Sequence, residues 1–158
     1  MLKSYLLTFL IAMVPIVELR GAIPYGTLIC DPPVPLLHAY IVAIVGNLLP
    51  APFIFLFAHR VLTWGADKPV IGRVCSWFLG KGHRAGEKLM EKSRRGLYLA
   101  LMLFVAIPIP GTGAWTGTLA ASILDMDFRK SILVVGCGLI LSGIIMATLS
   151  AVGINIFR

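Results

Sequence analysis

Two charged residues stand where the sequence is otherwise apolar. Glu18 and Arg20 interrupt a hydrophobic run that begins at Tyr5, and no other neighbouring ionisable pair has such a setting. A charged group at mid-span costs at least ~2.5–3.5 kcal/mol, so its presence marks a functional position. Buried, Glu18 could take and release a proton. Arg20 could grip a phosphate or carboxylate through two parallel N–H bonds. Positions i and i+2 do not share a helix face, so the pair converges on one cavity only where the segment is broken. The alternative is a hydrated pair at the mouth of a hairpin. Together the two charges disfavour a carrier for cations alone, because Arg20 cancels the pull of Glu18.

A second constellation lies at Pro108-Ile109-Pro110-Gly111-Thr112-Gly113. The prolines offer no N–H, and the glycines permit close backbone approach. A half-helix starting near Thr112–Ala114 would aim free N–H groups and a positive dipole end into a cavity, which suits an anion. Thr112 could cap that helix, Thr116 could donate a hydrogen bond, and Trp115 reads as packing. A plain hairpin turn accounts for the same residues without a ligand. Gly21 and Pro24, with Gly26, could play the matching part in the first apolar segment. Asn47 falls inside a long apolar block and needs partners, either another helix or a substrate or ion. Serines, histidines and acids do not cluster, no metal-ligand spacing occurs, and no glycine loop fits a soluble nucleotidase. Neither an enzyme nor a metal or cofactor is expected. Cys30, Cys75 and Cys137 read as small hydrophobes or free thiols.

The elements that must position these residues belong in a membrane. Of 158 residues, 58% are hydrophobic and 13% charged, and the mean hydropathy is +0.92. Soluble domains carry ~45–50% apolar and ~25% charged residues, so a water-soluble globule is excluded, and so is disorder. Four apolar blocks appear: Ser4–Val17 with a tail Ala22–Cys30, Leu36–Ala58, Leu97–Pro110 continued by Ala114–Leu124, and Ser131–Val152. The second and fourth, 23 and 22 residues long, can each cross ~30 Å of hydrocarbon as a helix. The first and third offer only ~21 Å of helix before a break, too short to cross. A re-entrant hairpin fits them, with its break facing protein or a water-filled cavity. Kinked complete spans are the rival. The breaks are expected at Glu18–Gly21 and Gly111–Gly113.

The halves repeat. Pro15 and Pro108 are 93 residues apart, Gly21-Ala22 and Gly113-Ala114 are 92 apart, and Thr27-Leu28 and Thr118-Leu119 are 91 apart. One hairpin plus one crossing is an odd number of crossings, so the halves would run in opposite directions, the inverted-repeat arrangement of many secondary transporters. The expected fold is an all-α integral membrane protein, one domain over 1–158. Repeat one spans 4–58, a cytoplasmic basic loop 59–96, and repeat two 97–152. That loop holds nine basic and three acidic residues, the positive-inside signature. Val70, Ile71, Val74, Trp77 and Phe78 within it suit a helix lying on the inner surface. It lacks a base-reading module, so nucleic acid is not an expected partner. Gly136, Gly138, Ser142, Gly143, Ala147 and Ala151 make the fourth block a close-packing helix, fit for a homodimer seam or for packing within the chain.

Two stretches, Pro15-Ile-Val-Glu-Leu-Arg-Gly-Ala-Ile-Pro24 and Ile107-Pro-Ile-Pro-Gly-Thr-Gly-Ala-Trp-Thr-Gly117, carry a resemblance. On them the chain resembles the small multidrug export proteins of bacteria, over essentially its whole length. That family is similar, more distantly, to the DedA and VTT membrane proteins, built around two opposed re-entrant hairpins. Several of those are implicated in moving lipids, undecaprenyl phosphate among them, across bilayers. The resemblance implies a small transporter of the bacterial inner membrane; membrane lipids and a second copy of the chain are the expected partners. Two substrate classes compete: amphiphilic drugs, from the family name, and an anionic lipid phosphate, from Arg20, the expected half-helix and the DedA-like relation. The physical argument leans to the anion. A membrane scaffold without transport is the third reading.

Overall fold

The structure, a computed structural model, describes residues 1–66, 76–77, 80, 93, 95–109 and 112–157. The amphipathic stretch expected at 70–78 lies outside these residues except for Trp77, as does most of the basic loop. Among the described residues the fold is all helical: α1 Leu2–Met13, α2 Glu18–Pro24, a π-helical turn Tyr25–Ile29, α3 Leu36–Leu48, α4 Pro50–Ala66, α5 Arg95–Ala106, α6 Ala114–Ile123 and α7 Phe128–Phe157.

Two stretches are long and apolar enough to cross a membrane, Leu36–Ala58 and Phe128–Gly153. In each, only 28% of the most apolar window is buried within the protein. The core helix of a soluble protein would be mostly covered; these present apolar surface outward, as helices in lipid do. The first is formed by α3 and α4 together. Leu49 between them keeps helical angles, so Pro50 and Pro52 remove backbone donors without ending the run. α7 starts earlier than the apolar pattern indicates, because Asp127 caps it. The Lys130 N–H donates to Asp127 Oδ1 at 2.9 Å, a cap typically worth ~1 kcal/mol. The helix therefore opens at Phe128, three residues before the apolar block that begins at Ser131.

The first and third apolar blocks are indeed each two helices with a break. The second break lies between Ala106 and Ala114, as expected. The first differs. The charged residues do not interrupt the helix; the break is Val14–Val17, and Glu18–Gly21 is the opening turn of α2. Pro15 is the reason, since the residue before a proline is pushed out of the helical region, and Val14 is extended at φ −72°, ψ 128°.

α1 packs on α2 and α3, α2 on α3 and α7, α3 on α7, α4 on α6, and α6 on α7. α1 turns its small residues Ser4, Thr8 and Ala12 inward. The halves repeat one close contact. A Cβ on Gly46 of α3 would meet the Phe9 carbonyl oxygen of α1 at 2.7 Å, and one on Gly138 of α7 would meet the Met102 carbonyl oxygen of α5 at 2.8 Å. The glycines are 92 positions apart and their partners 93. Gly143 packs on Tyr40 of α3, and Ser142 is buried. Much of the small-residue stripe of α7 is thus engaged within the chain. Leu19, Ile23, Leu101, Val105, Val135 and Leu139 fill the space between the halves.

Candidate functional site

The entry to α2 sets the direction of the charged side chains. Ile16 and Glu18 take left-handed backbone angles, φ 76° and 52°, which is rare for any residue and an outlier for a β-branched one. Each such residue costs about 1–3 kcal/mol. The helix is joined across this turn by the Glu18 N–H donating to the Val14 carbonyl at 3.0 Å and Gly21 N–H to Val17 carbonyl at 3.1 Å. Gly21 lies against the Val17 side chain, where a Cβ would not fit. With Glu18 left-handed, positions i and i+2 do converge: Arg20 Nη2 is 4.0 Å from Glu18 Oε2.

Both side chains reach across to the second break. The Arg20 guanidinium donates to the carbonyls of Ile109 and Thr112, to the Ile107 carbonyl at 3.3 Å and to the Thr112 hydroxyl at 3.1 Å. These acceptors follow the last turn of α5, where the helix dipole is negative. Glu18 goes to the other side of the break. Its Oε1 accepts from the Trp115 N–H at 3.3 Å, at the positive start of α6. One helical turn of α2 thus places a cation on one broken end and an anion on the other. The Glu18 and Arg20 side chains are only 4% and 11% exposed, so each charge depends on the partners just named. Removing one member of a buried pair typically costs ~3–5 kcal/mol.

Gly113 makes room for this. Its φ is +147°, a conformation essentially reserved for glycine, and an added Cβ would fall 2.8 Å from the Glu18 carboxyl carbon. Gly113, not Thr112, is the N-cap residue of α6, and no side chain caps it there. Thr112 faces the other way, its hydroxyl within reach of the Ile107 carbonyl at 2.7 Å and the Ile109 carbonyl at 2.9 Å. The helix start expected to await an outside anion already holds one of the chain's own.

Of the other expected site residues, Pro108 stands between two carbonyls that serve Arg20, and Thr116 bonds back to the Gly113 carbonyl at 3.5 Å. Asn47 is fully enclosed beside the Glu18 carboxylate, yet neither of its amide atoms has a hydrogen-bond partner. Pro24 is not brought to the cluster. It sits at the end of α2, where the chain passes into the π-helical turn, and Gly26 packs on Thr8. Pro110 and Gly111 lie outside the described residues. Sequence reasoning missed Trp115, whose backbone N–H meets Glu18 and whose indole N–H is buried without an acceptor.

Trp115 also borders an apolar cavity of about 590 Å³ between α4 and α6, lined with Pro15, Ile54, Phe57, Val61, Thr116 and Leu119 among others. A neighbouring cavity of about 410 Å³ shares Ile54, Phe57 and Trp115 and adds Arg60. Their volumes are those of sites for drug-sized ligands. Oppositely charged groups and broken helix ends thus meet beside an apolar cavity.

No curated protein and no solved structure matches the chain. A family model does, the one described as "Putative small multi-drug export protein", over residues 18–145. The match opens at Glu18, directly after the first break, and takes in the second break and α7 as far as residue 145. The chain is a helical membrane protein and belongs to that small multi-drug export family.

Proposed function

We propose that the chain is a small secondary transporter that exports amphiphilic compounds, with the α4–α6 cavity taking the apolar body of the substrate. The observation that carries this reading is the bridge from α2 to the broken ends of α5 and α6, beside that cavity. A packed helix bundle has no need of two charges set into a helix break. A transporter needs a contact that can be made in one state and released in another, and transporter sites commonly use broken helices. The repeated Gly46 and Gly138 contacts support a two-repeat fold. On this reading the α1–α2 and α5–α6 units are re-entrant hairpins entering from opposite sides, in the inner membrane of a bacterium. Glu18 is the group that would link export to proton flow. A lipid phosphate is a weaker fit for Arg20, because four contacts to the second break already occupy its two terminal nitrogens.

Flux through proteoliposomes tests the proposal. Export of an amphiphilic dye should fall at least tenfold in Glu18→Gln and in Arg20→Ala, in protein that still melts cooperatively. An imposed pH gradient should drive accumulation in the parent and not in Glu18→Gln. If both variants carry dye like the parent, the transporter reading of the bridge is wrong and a membrane scaffold becomes the better account.

A further inference from the structure

The two cavities beside Trp115 differ in a way that bears on the charge of the substrate. They share Ile54, Phe57 and Trp115, so they form one groove along α4 facing α6. Among the described residues no acid lines either part, and the only ionisable lining residue is Arg60, at the far part of the groove from Pro15. Arg60 is exposed, and no described carboxylate lies within ion-pair distance of it. Glu18 and Arg20 line neither part, and their opposite charges offset one another. Among the described residues the groove therefore has an apolar length, an aromatic wall and one positive end.

Resting on the transporter reading above, we infer that this groove selects drug-sized amphiphiles whose polar end is an anion, with the apolar body against Ile54, Phe57 and Trp115 and the head at Arg60. The volumes suit one drug-sized molecule. A lipophilic cation would bring its charge to Arg60 with no acid among the described residues to meet it. Unpaired like charges are how a site rejects the wrong partner. The anion is thus met at Arg60, in the groove, and not at Arg20.

The test uses the full chain in nanodiscs of a zwitterionic lipid, with Trp64 and Trp77 replaced by phenylalanine so that Trp115 alone reports. Dodecyl phosphate, dodecanol and dodecyltrimethylammonium are titrated, and saturable change in emission is read. Dodecyl phosphate should half-saturate at about one-tenth the concentration of dodecyltrimethylammonium. Arg60→Gln should abolish that preference and leave dodecanol unchanged, whereas Arg129→Gln, at an exposed position on α7, should preserve it. Equal or tighter binding of the cation overturns the inference, as does a preference that survives Arg60→Gln. Loss of the signal when phosphatidylglycerol is added to the disc also overturns it, in favour of a bilayer lipid. Active flux with no Trp115 response sinks the groove and spares the transporter. Selective binding without any flux does the reverse.

Discussion

At Gly113 any side chain would meet the Glu18 carboxylate, and the backbone angle there is one that other residues resist. Gly113→Ala should lower stability by roughly 1–3 kcal/mol and unseat Glu18 from the Trp115 N–H. Gly136→Ala is the control, because a Cβ there would meet only Leu48 Cδ1 at 3.9 Å. Thermal unfolding in detergent compares them, and equal melting of the two variants would contradict the seating of Glu18 described here. At this scale the sequence exposes charge well and main chain poorly. Glu18 and Arg20 stand out because ionisable residues are rare in apolar runs. Their partners, the carbonyls of Ile107, Ile109 and Thr112 and the amide of Trp115, belong to groups that every residue carries, so no residue type announces them. Trp115 reads as packing for that reason, although its place one residue into a helix after a glycine-rich break is a signal that such an amide is free.

At the scale of elements, lengths are legible and joints less so. The Leu36–Ala58 span coincides with the apolar block because both ends are marked in the sequence, by Pro35 and by the first charges past the block. α6 likewise begins at Ala114 because a glycine precedes it. The first break lies at Val14–Val17 and not at the charged residues, since steric exclusion before Pro15 and the left-handed turn at Ile16 decide it, and polarity does not. The small-residue stripe of α7 could serve two partners in the sequence and packs against α3 and α5 in the fold. That makes a prediction. Gly138→Leu would drive a side chain into Val105 and the Met102 carbonyl, and overpacking of this kind costs about 1–3 kcal/mol. It should lower the melting temperature of the purified protein without changing its mass by native mass spectrometry. A change of oligomer at unaltered stability would place that glycine at an interface between copies.

For the whole molecule, the topology turns on which side of the membrane each end of a broken unit occupies. If α1 and α2 form a re-entrant hairpin, residues before α1 and after the π-helical turn lie on the same face. With the other cysteines replaced by serine, Lys3→Cys and the native Cys30 should then react with an impermeant thiol reagent from the same side. Reaction from opposite sides would make the unit a complete kinked crossing and remove the argument for inverted halves. α7 adds a geometric consequence of its own. Its span Phe128–Gly153 holds 26 residues, ~39 Å of helix, against a hydrocarbon layer of ~30 Å. No proline bends it. To cover its apolar surface it must lean from the membrane normal, or thicken the bilayer around it. Gly138 is pressed to α5 and Gly143 to α3, so α7 cannot change its lean without moving against both helices. A thicker bilayer would therefore load those two glycine contacts first.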